Sequence, residues 1–288
     1  HFHRRDAMVL GTAGLTAALC VESLLDTGVN PDQGPVLVTG ATGGVGSVGV
    51  AILAKLGFEV VAVSGKEDAV EWLKTLGAAQ VIDRATFLEN AGKPMLKEQW
   101  AGAVDCVGGD ALTTALKSVK YGGSVACCGL AGSPELNMTV FPFILRGINL
   151  LGVDSVELPV EIKQQMWQLL ADEWIPGGMS KLEAAEIGLE EVNDWVARIL
   201  KGGAKRQAAR ALERPTSNSR REYPATPAAL SGHSCHRMIL VKGQTLNKAI
   251  RFLKWPRGQA QAPLPTGKVI GDRSMPQRKR AAKSDPHS

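Results

Sequence analysis

Residues 1–204 of this 288-residue chain predict an α/β fold, a doubly wound parallel sheet of six strands with helices on its faces. Three observations carry that expectation. The stretch VLVTGATGGVGSVGVAILAKLG at 36–57 reads as strand, glycine turn and helix in immediate succession. Beyond it, short apolar runs alternate with helical patterns that stop at glycine. The alternation ends near residue 204, where the charge reverses. Residues 1–204 hold 15 Lys+Arg against 24 Asp+Glu, whereas residues 205–288 hold 18 against 4.

Each element has its own reason. A helical lead-in occupies 6–30, and Val36-Leu37-Val38-Thr39 is a β-branched, apolar strand. Val45, Val48, Val50, Ile52, Leu53 and Leu56 recur at helical spacing, and Gly57 stops that helix. A second strand spans 59–63, a helix 68–76 ends at Gly77, and a third strand spans 80–82. The fourth strand is 103–107, followed by a helix at 110–119 that Gly122-Gly123 stops. Strands at 124–128 and 148–152 complete the six, with helices at 161–170 and 189–200 after them. In such a sheet a ligand lies at the C-terminal strand ends, at the switch point beside Gly43.

Strand, glycine turn and helix is the setting in which a dinucleotide fingerprint carries meaning. Ala41-Thr42-Gly43-Gly44-Val45-Gly46 is that fingerprint, with alanine in the first glycine slot. Gly43 lets the backbone approach a pyrophosphate, and Gly46 lets helix and sheet pack closely. The free N–H groups and positive end of the helix dipole then face the phosphates. A Rossmann domain is therefore expected. The second strand ends Ser64-Gly65-Lys66, where an NAD site would place Asp or Glu for the ribose 2′-hydroxyl. A hydroxyl, a glycine and a cation suit a 2′-phosphate, so the expected cofactor is NADP. Ser64-x-x-Glu67 is also a capping box, and both roles can hold at once. Glycines at 108–109 and 129–132 clear space at the next strand ends or simply make turns.

The remaining chain excludes several classes. The tail at 205–288 is basic and carries 8 of the 15 prolines, which predicts a disordered or non-native segment. It lacks an aromatic platform or zinc finger, so no nucleic-acid partner is expected. Cys20, Cys106, Cys127, Cys128 and Cys235 give an odd count without CxxC spacing, which argues against a disulfide framework or structural zinc. Cys106, Cys127 and Cys128 fall in expected buried strands, where small apolar packing is their ordinary role. No run reaches the length expected of a membrane span, and no membrane partner is expected. The compartment expected is cytoplasmic or otherwise soluble and reducing.

At these residues the chain resembles the medium-chain dehydrogenase/reductase superfamily, and within it the zinc-free acryloyl-CoA reductase family of the quinone-oxidoreductase-like branch. The matching segments are Gly11-Thr-Ala-Gly-Leu-Thr-Ala17, residues 38–47, Val61-Ala-Val-Ser-Gly-Lys66, residues 99–103, Tyr121-Gly-Gly123, Cys128-Gly-Leu-Ala-Gly132, residues 141–147 and Gly152-Val-Asp-Ser155. The resemblance runs from about residue 6 to residue 200. It implies NADPH-dependent hydride transfer to the β-carbon of an enoyl thioester, or a related quinone reduction. It also implies that Ala41, Thr42, Gly43, Gly44, Val45 and Gly46 hold the pyrophosphate, and Ser64, Gly65 and Lys66 the 2′-phosphate. Family members usually carry arginine where this chain has Lys66, so the charge stays but the bidentate fork is lost. Thr16, Gly129, Leu130, the 143–146 segment and Asp154-Ser155 would lie near the nicotinamide half, with core packing and a dimer edge an equal alternative for the Phe143–Arg146 segment. A small enoyl-CoA-type substrate and a homodimer are the implied partners, with no metal.

The resemblance also implies what is not here. Family members begin with a β-rich catalytic domain, so a truncated chain with catalytic residues elsewhere is expected. The abrupt reversal of charge after Lys205 is what a shifted reading frame or an altered transcript would produce. The chain by itself is then expected to bind NADPH weakly and turn over negligibly. The alternatives are a stand-alone dinucleotide-binding module and an inactive fragment.

Overall fold

The computed structural model describes residues 4–174, 179–200 and 207–210, all inside one compact unit, His1–Ser217. The expectations for 201–206 and for the tail beyond 210 lie outside the described residues.

The lead-in is α1 (Arg4–Asp26), broken at Gly11, whose φ of 48° no ordinary helix residue adopts. Then come β1 (Val36–Val38), α2 (Gly44–Lys55), β2 (Val60–Ser64), α3 (Val70–Thr75), β3 (Ala78–Asp83) and α4 (Arg84–Leu88). The second half follows with β4 (Trp100–Asp105), α5 (Gly109–Ser118), β5 (Val119–Cys127), α6 (Phe141–Arg146), β6 (Asn149–Gly152) and α7 (Val160–Ala171). β7 (Glu183–Ile187), α8 (Val192–Leu200) and β8 (Gln207–Arg210) complete the described residues.

The first six strands form one sheet in the order β3-β2-β1-β4-β5-β6, and every pairing is parallel. This is the expected doubly wound sheet. The order reverses between β1 and β4, which opens a crevice at their C-terminal ends. Side chains alternate across β1. Val36 and Val38 join the core layer beneath α1, α2 and α3, with Leu10, Val21, Leu24, Ile52, Leu53 and Leu73. Leu37 faces the opposite layer, with Val61, Val63, Ala103, Leu116 and Val125.

Several boundaries differ from the sequence reading. β4 starts at Trp100 and stops at Asp105, earlier than expected, because Cys106 and Val107 belong to the turn into α5. Gly122 and Gly123 do not stop a helix. α5 ends at Ser118, whose hydroxyl donates back to Thr114 O at 2.6 Å, and the glycine pair lies within β5. The short α4 and α6, and the parallel β7–β8 pair, were not expected. α6 nevertheless carries local cues, with Pro142 in its first turn and Gly147 (φ 58°) just past its end.

The expectation about apolar runs needs correction too. Residues Arg5–Asp26 are long and apolar enough to cross a membrane, with a mean hydropathy of 1.7. In the fold most of that stretch is buried. Leu10, Ala17, Ala18, Cys20 and Val21 have no solvent exposure, as a core helix requires.

Candidate functional site

The crevice is built outward from the turn after β1. Gly40 adopts φ 60° and its carbonyl accepts the Gly43 N–H at 2.9 Å, which folds the chain back over the strand end. α2 then starts with Gly43 as its N-cap in extended geometry, and no side chain caps it. The first N–H groups of a helix have no partner inside it, so this turn presents donors and a positive dipole end. Gly43 is exposed, whereas Ala41, Thr42 and Gly46 are buried. Gly46 is sterically required. A Cβ there would stand 2.4 Å from Gly40 O and 2.8 Å from Ala41 Cα, both backbone atoms that cannot swing away.

The turn is anchored to the neighbouring strands. Thr39 N–H donates to Val104 O at 3.0 Å and Ala41 N–H to Val63 O at 3.2 Å. Thr39 Oγ1 donates to Asp105 Oδ1 at 2.6 Å and accepts the Cys106 N–H at 3.2 Å. The other carboxylate oxygen, Oδ2, accepts the Gly108 N–H at 2.8 Å. Asp105 has no solvent exposure. Burial pushes its carboxyl above the usual range, opposed by donation from Thr39 and from the Gly108 and Val107 N–H groups. This latch across the switch point was not foreseen. Its signal was a single acid in the apolar run Ala103-Val104-Asp105.

At the end of β2, Ser64 is buried and its Oγ accepts the Lys66 N–H at 3.0 Å. The following 3-10 turn, Glu67–Ala69, has Lys66 as its N-cap without a side-chain cap. Ser64 therefore holds a local turn and does not form the expected capping box. The structure adds a cation that the sequence reading missed. β2 and β3 pair Ser64 with Asp83, so the next residue, Arg84, reaches Gly65. Arg84 Cζ, Nε and Nη2 each lie 3.1 Å from where a Gly65 Cβ would stand. Gly65 leaves that space to the guanidinium.

The other half of the crevice lies at the ends of β5 and β6. Gly129 crosses the end of β4 so closely that a Cβ would meet Cys106 O at 2.4 Å. Gly129 and Leu130 line an open cleft of ≈ 540 Å³ with Gly108, Leu112 and Asp154. Leu130 is 67% exposed. Thr16 Oγ1 and Ser155 Oγ sit 2.9 Å apart, joining α1 to the loop after β6. Arg146 packs inward, as the core-packing alternative for its segment has it. Its guanidinium donates to Lys117 O and Leu96 O and pairs with Glu98 at 3.1 Å, which ties α6 to the end of α5.

Similarity to known proteins follows the same residues. A family model described as zinc-binding dehydrogenase matches residues 44–172. The acrylyl-CoA reductase AcuI of Ruegeria pomeroyi is 50% identical over 200 residues, which cover 69% of this chain and 60% of that protein. The chain resembles the medium-chain dehydrogenase/reductase superfamily. Among solved structures, the yhdH oxidoreductase of Salmonella enterica in complex with NADP matches with a TM-score of 0.70 and 42% identity. That match covers 73% of this chain and 64% of the other. Bacillus subtilis yhfP with NAD bound also gives 0.70, at 44% identity, covering 72% and 63%. The chain thus spans about 60% of the length of the curated relatives it matches. The described six-stranded sheet has a Rossmann-like order. Although the family description names zinc, no three His, Cys, Asp or Glu side chains are grouped to hold a metal ion among the described residues.

Proposed function

We propose that this chain is the nucleotide-binding half of an NADPH-dependent oxidoreductase that reduces an enoyl-CoA thioester of acryloyl type. One observation carries the reading. The uncapped start of α2 and a hydroxyl with two cations at the end of β2 share the C-terminal rim of one 3-2-1-4-5-6 sheet. The likeness to an acrylyl-CoA reductase over 200 residues supports the substrate class.

In this reading the backbone N–H groups of residues 44–46 hold the pyrophosphate, close to the helix because Gly43 and Gly46 lack side chains. Ala41 and Thr42 shape that turn from beneath. Ser64, Lys66 and Arg84 surround the 2′-phosphate, Arg84 supplying the planar fork that Lys66 lacks. Gly65 keeps the guanidinium close. Gly129, Leu130 and the Thr16–Ser155 hydroxyl pair flank the nicotinamide half. NADPH, when bound, supplies a hydride. The chain's own task is to hold the two reactants at attack distance, with hydride going to the β-carbon and a proton to the α-carbon. The whole protein would work in the cytoplasm or another reducing compartment.

A second reading, a dinucleotide-binding module without catalysis, is favoured by the open cleft beside Leu130. The two are separated by mixing the intact protein with NADPH and acryloyl-CoA and following both nicotinamide absorbance and acyl-CoA products. Matched loss of NADPH and appearance of propionyl-CoA is the expected result. Nucleotide binding without turnover would favour the module, and the absence of nucleotide binding would overturn both.

A further inference from the structure

The cysteines do not behave as separate packing residues. β4 and β5 pair Asp105 with Cys127, so Cys106 and Cys128 are the next residues on adjacent strand ends. Cys128 N–H donates to Asp105 O at 3.0 Å, which holds the two backbones side by side. Their sulfurs are 3.8 Å apart, and both residues are partly exposed. Cys20 of α1 is a third thiol that interacts with Cys128, but it has no solvent exposure. Cys127 points to the other face, with its Sγ 3.9 Å from Asp105 Oδ2. All four are free thiols.

Three features of this arrangement bear on oxidation. Neighbouring strands lie about 4.7–4.9 Å apart, a backbone separation within the roughly 4.4–6.8 Å that a disulfide spans. Closing the sulfurs to about 2.05 Å needs a side-chain movement of under ~2 Å, without unpairing the strands. Cys128 is partly exposed and is among the residues lining the open cleft, the approach that a small oxidant would take. The Cys106 and Cys20 thiols also favour the thiolate at Cys128, pulling it below the ordinary thiol range against the opposing cost of burial. The same contact, together with burial, pushes Cys106 up.

We propose that Cys106 and Cys128 form a site of reversible oxidative modification, closing to a disulfide when the protein meets a hydroperoxide. The Cys128 thiolate attacks the terminal oxygen of the hydroperoxide. An S–O bond forms, the O–O bond breaks, and the alcohol (water, for hydrogen peroxide) departs after taking a proton, leaving a sulfenic acid. Cys106 sulfur then attacks Cys128 sulfur. The S–S bond forms, the S–O bond breaks, and water leaves with the Cys106 proton. Two thiols are oxidised by two electrons in all, and one peroxide bond is reduced. A dithiol reductant reverses the step by exchange.

The test treats the full chain with one equivalent of hydrogen peroxide, blocks remaining thiols with iodoacetamide after denaturation, and maps peptides by mass spectrometry. The expected result is one dominant cross-link, Cys106 to Cys128, lost on adding dithiothreitol, with Cys20 and Cys127 alkylated. In Cys106→Ser the sulfenic acid should persist on Cys128 and be trapped by dimedone. In Cys128→Ser neither product should form. Native-chain mapping decides the matter even if a variant fails to fold. A dominant Cys20–Cys128 link overturns the proposal. So does absence of cross-linking, or the mixture of pairs that guanidinium-denatured chain gives.

Discussion

Gly46 and Gly49 sit one turn apart on α2, and replacing each by alanine separates helix propensity from close packing. Both substitutions remove glycine from a helix interior, a gain of up to about 1 kcal/mol. Only the packing differs. A Cβ at residue 46 would stand 2.4 Å from Gly40 O and 2.9 Å from Gly40 C, whereas one at residue 49 meets nothing within 4 Å. The atoms struck are backbone atoms of the turn that β1 and β4 anchor, so α2 itself must move. Overpacking of this kind costs about 1–3 kcal/mol. The shared propensity gain cancels in the comparison, so Gly46→Ala should be less stable than Gly49→Ala by about 1–3 kcal/mol. Guanidinium unfolding followed by circular dichroism measures the difference. Displacing α2 also carries its N–H groups away from the phosphates, so nucleotide affinity should fall in the first variant alone. Equal stability of the two variants would refute the claim that the glycine turn is packed against the helix.

Two further outcomes are expected. Asp105 has a raised carboxyl pKa in the folded chain, mainly from burial, so the native state binds more protons than the unfolded one. The stability of the wild type relative to Asp105→Asn should therefore be greatest below about pH 4 and fall as pH rises through the native pKa; denaturant titrations across that range would contradict this by showing the difference growing with pH. Trp72→Phe removes the Nε1–H donation to Lys181 O (2.8 Å), which ties α3 to the segment before β7. It should cost about 0.5–1.5 kcal/mol and raise hydrogen exchange near Leu182, and unchanged exchange there would count against it.

Much of the sheet was legible because its signals are local. The strand-turn-helix at residues 36–55 needs glycines at fixed places, and the remaining strands are short apolar runs between glycines. What the sequence hid depends on pairing. Arg84 lies 18 residues beyond Lys66 and comes to Gly65 only because β2 and β3 pair in parallel with Ser64 opposite Asp83. The Thr39–Asp105 bond spans 66 residues for the same reason. Boundaries drifted where an apolar run continues into a turn, as at Cys106 and Val107, since composition does not record where the ladder stops. The two alternatives for Arg146 stayed open for a related reason. Its carbonyl partners come from the end of α5 and the loop before β4, both remote in sequence.

The central claim is that the rim beside β2 recognises a 2′-phosphate, and calorimetric titration of the chain with NADPH and NADH tests it most directly. Losing a charge-assisted phosphate contact costs about 1.5–3 kcal/mol, so NADPH should bind at least about tenfold more tightly. Lys66→Glu should abolish or reverse that preference while leaving NADH affinity nearly unchanged. Equal affinity for the two nucleotides, or a preference indifferent to Lys66, would contradict it.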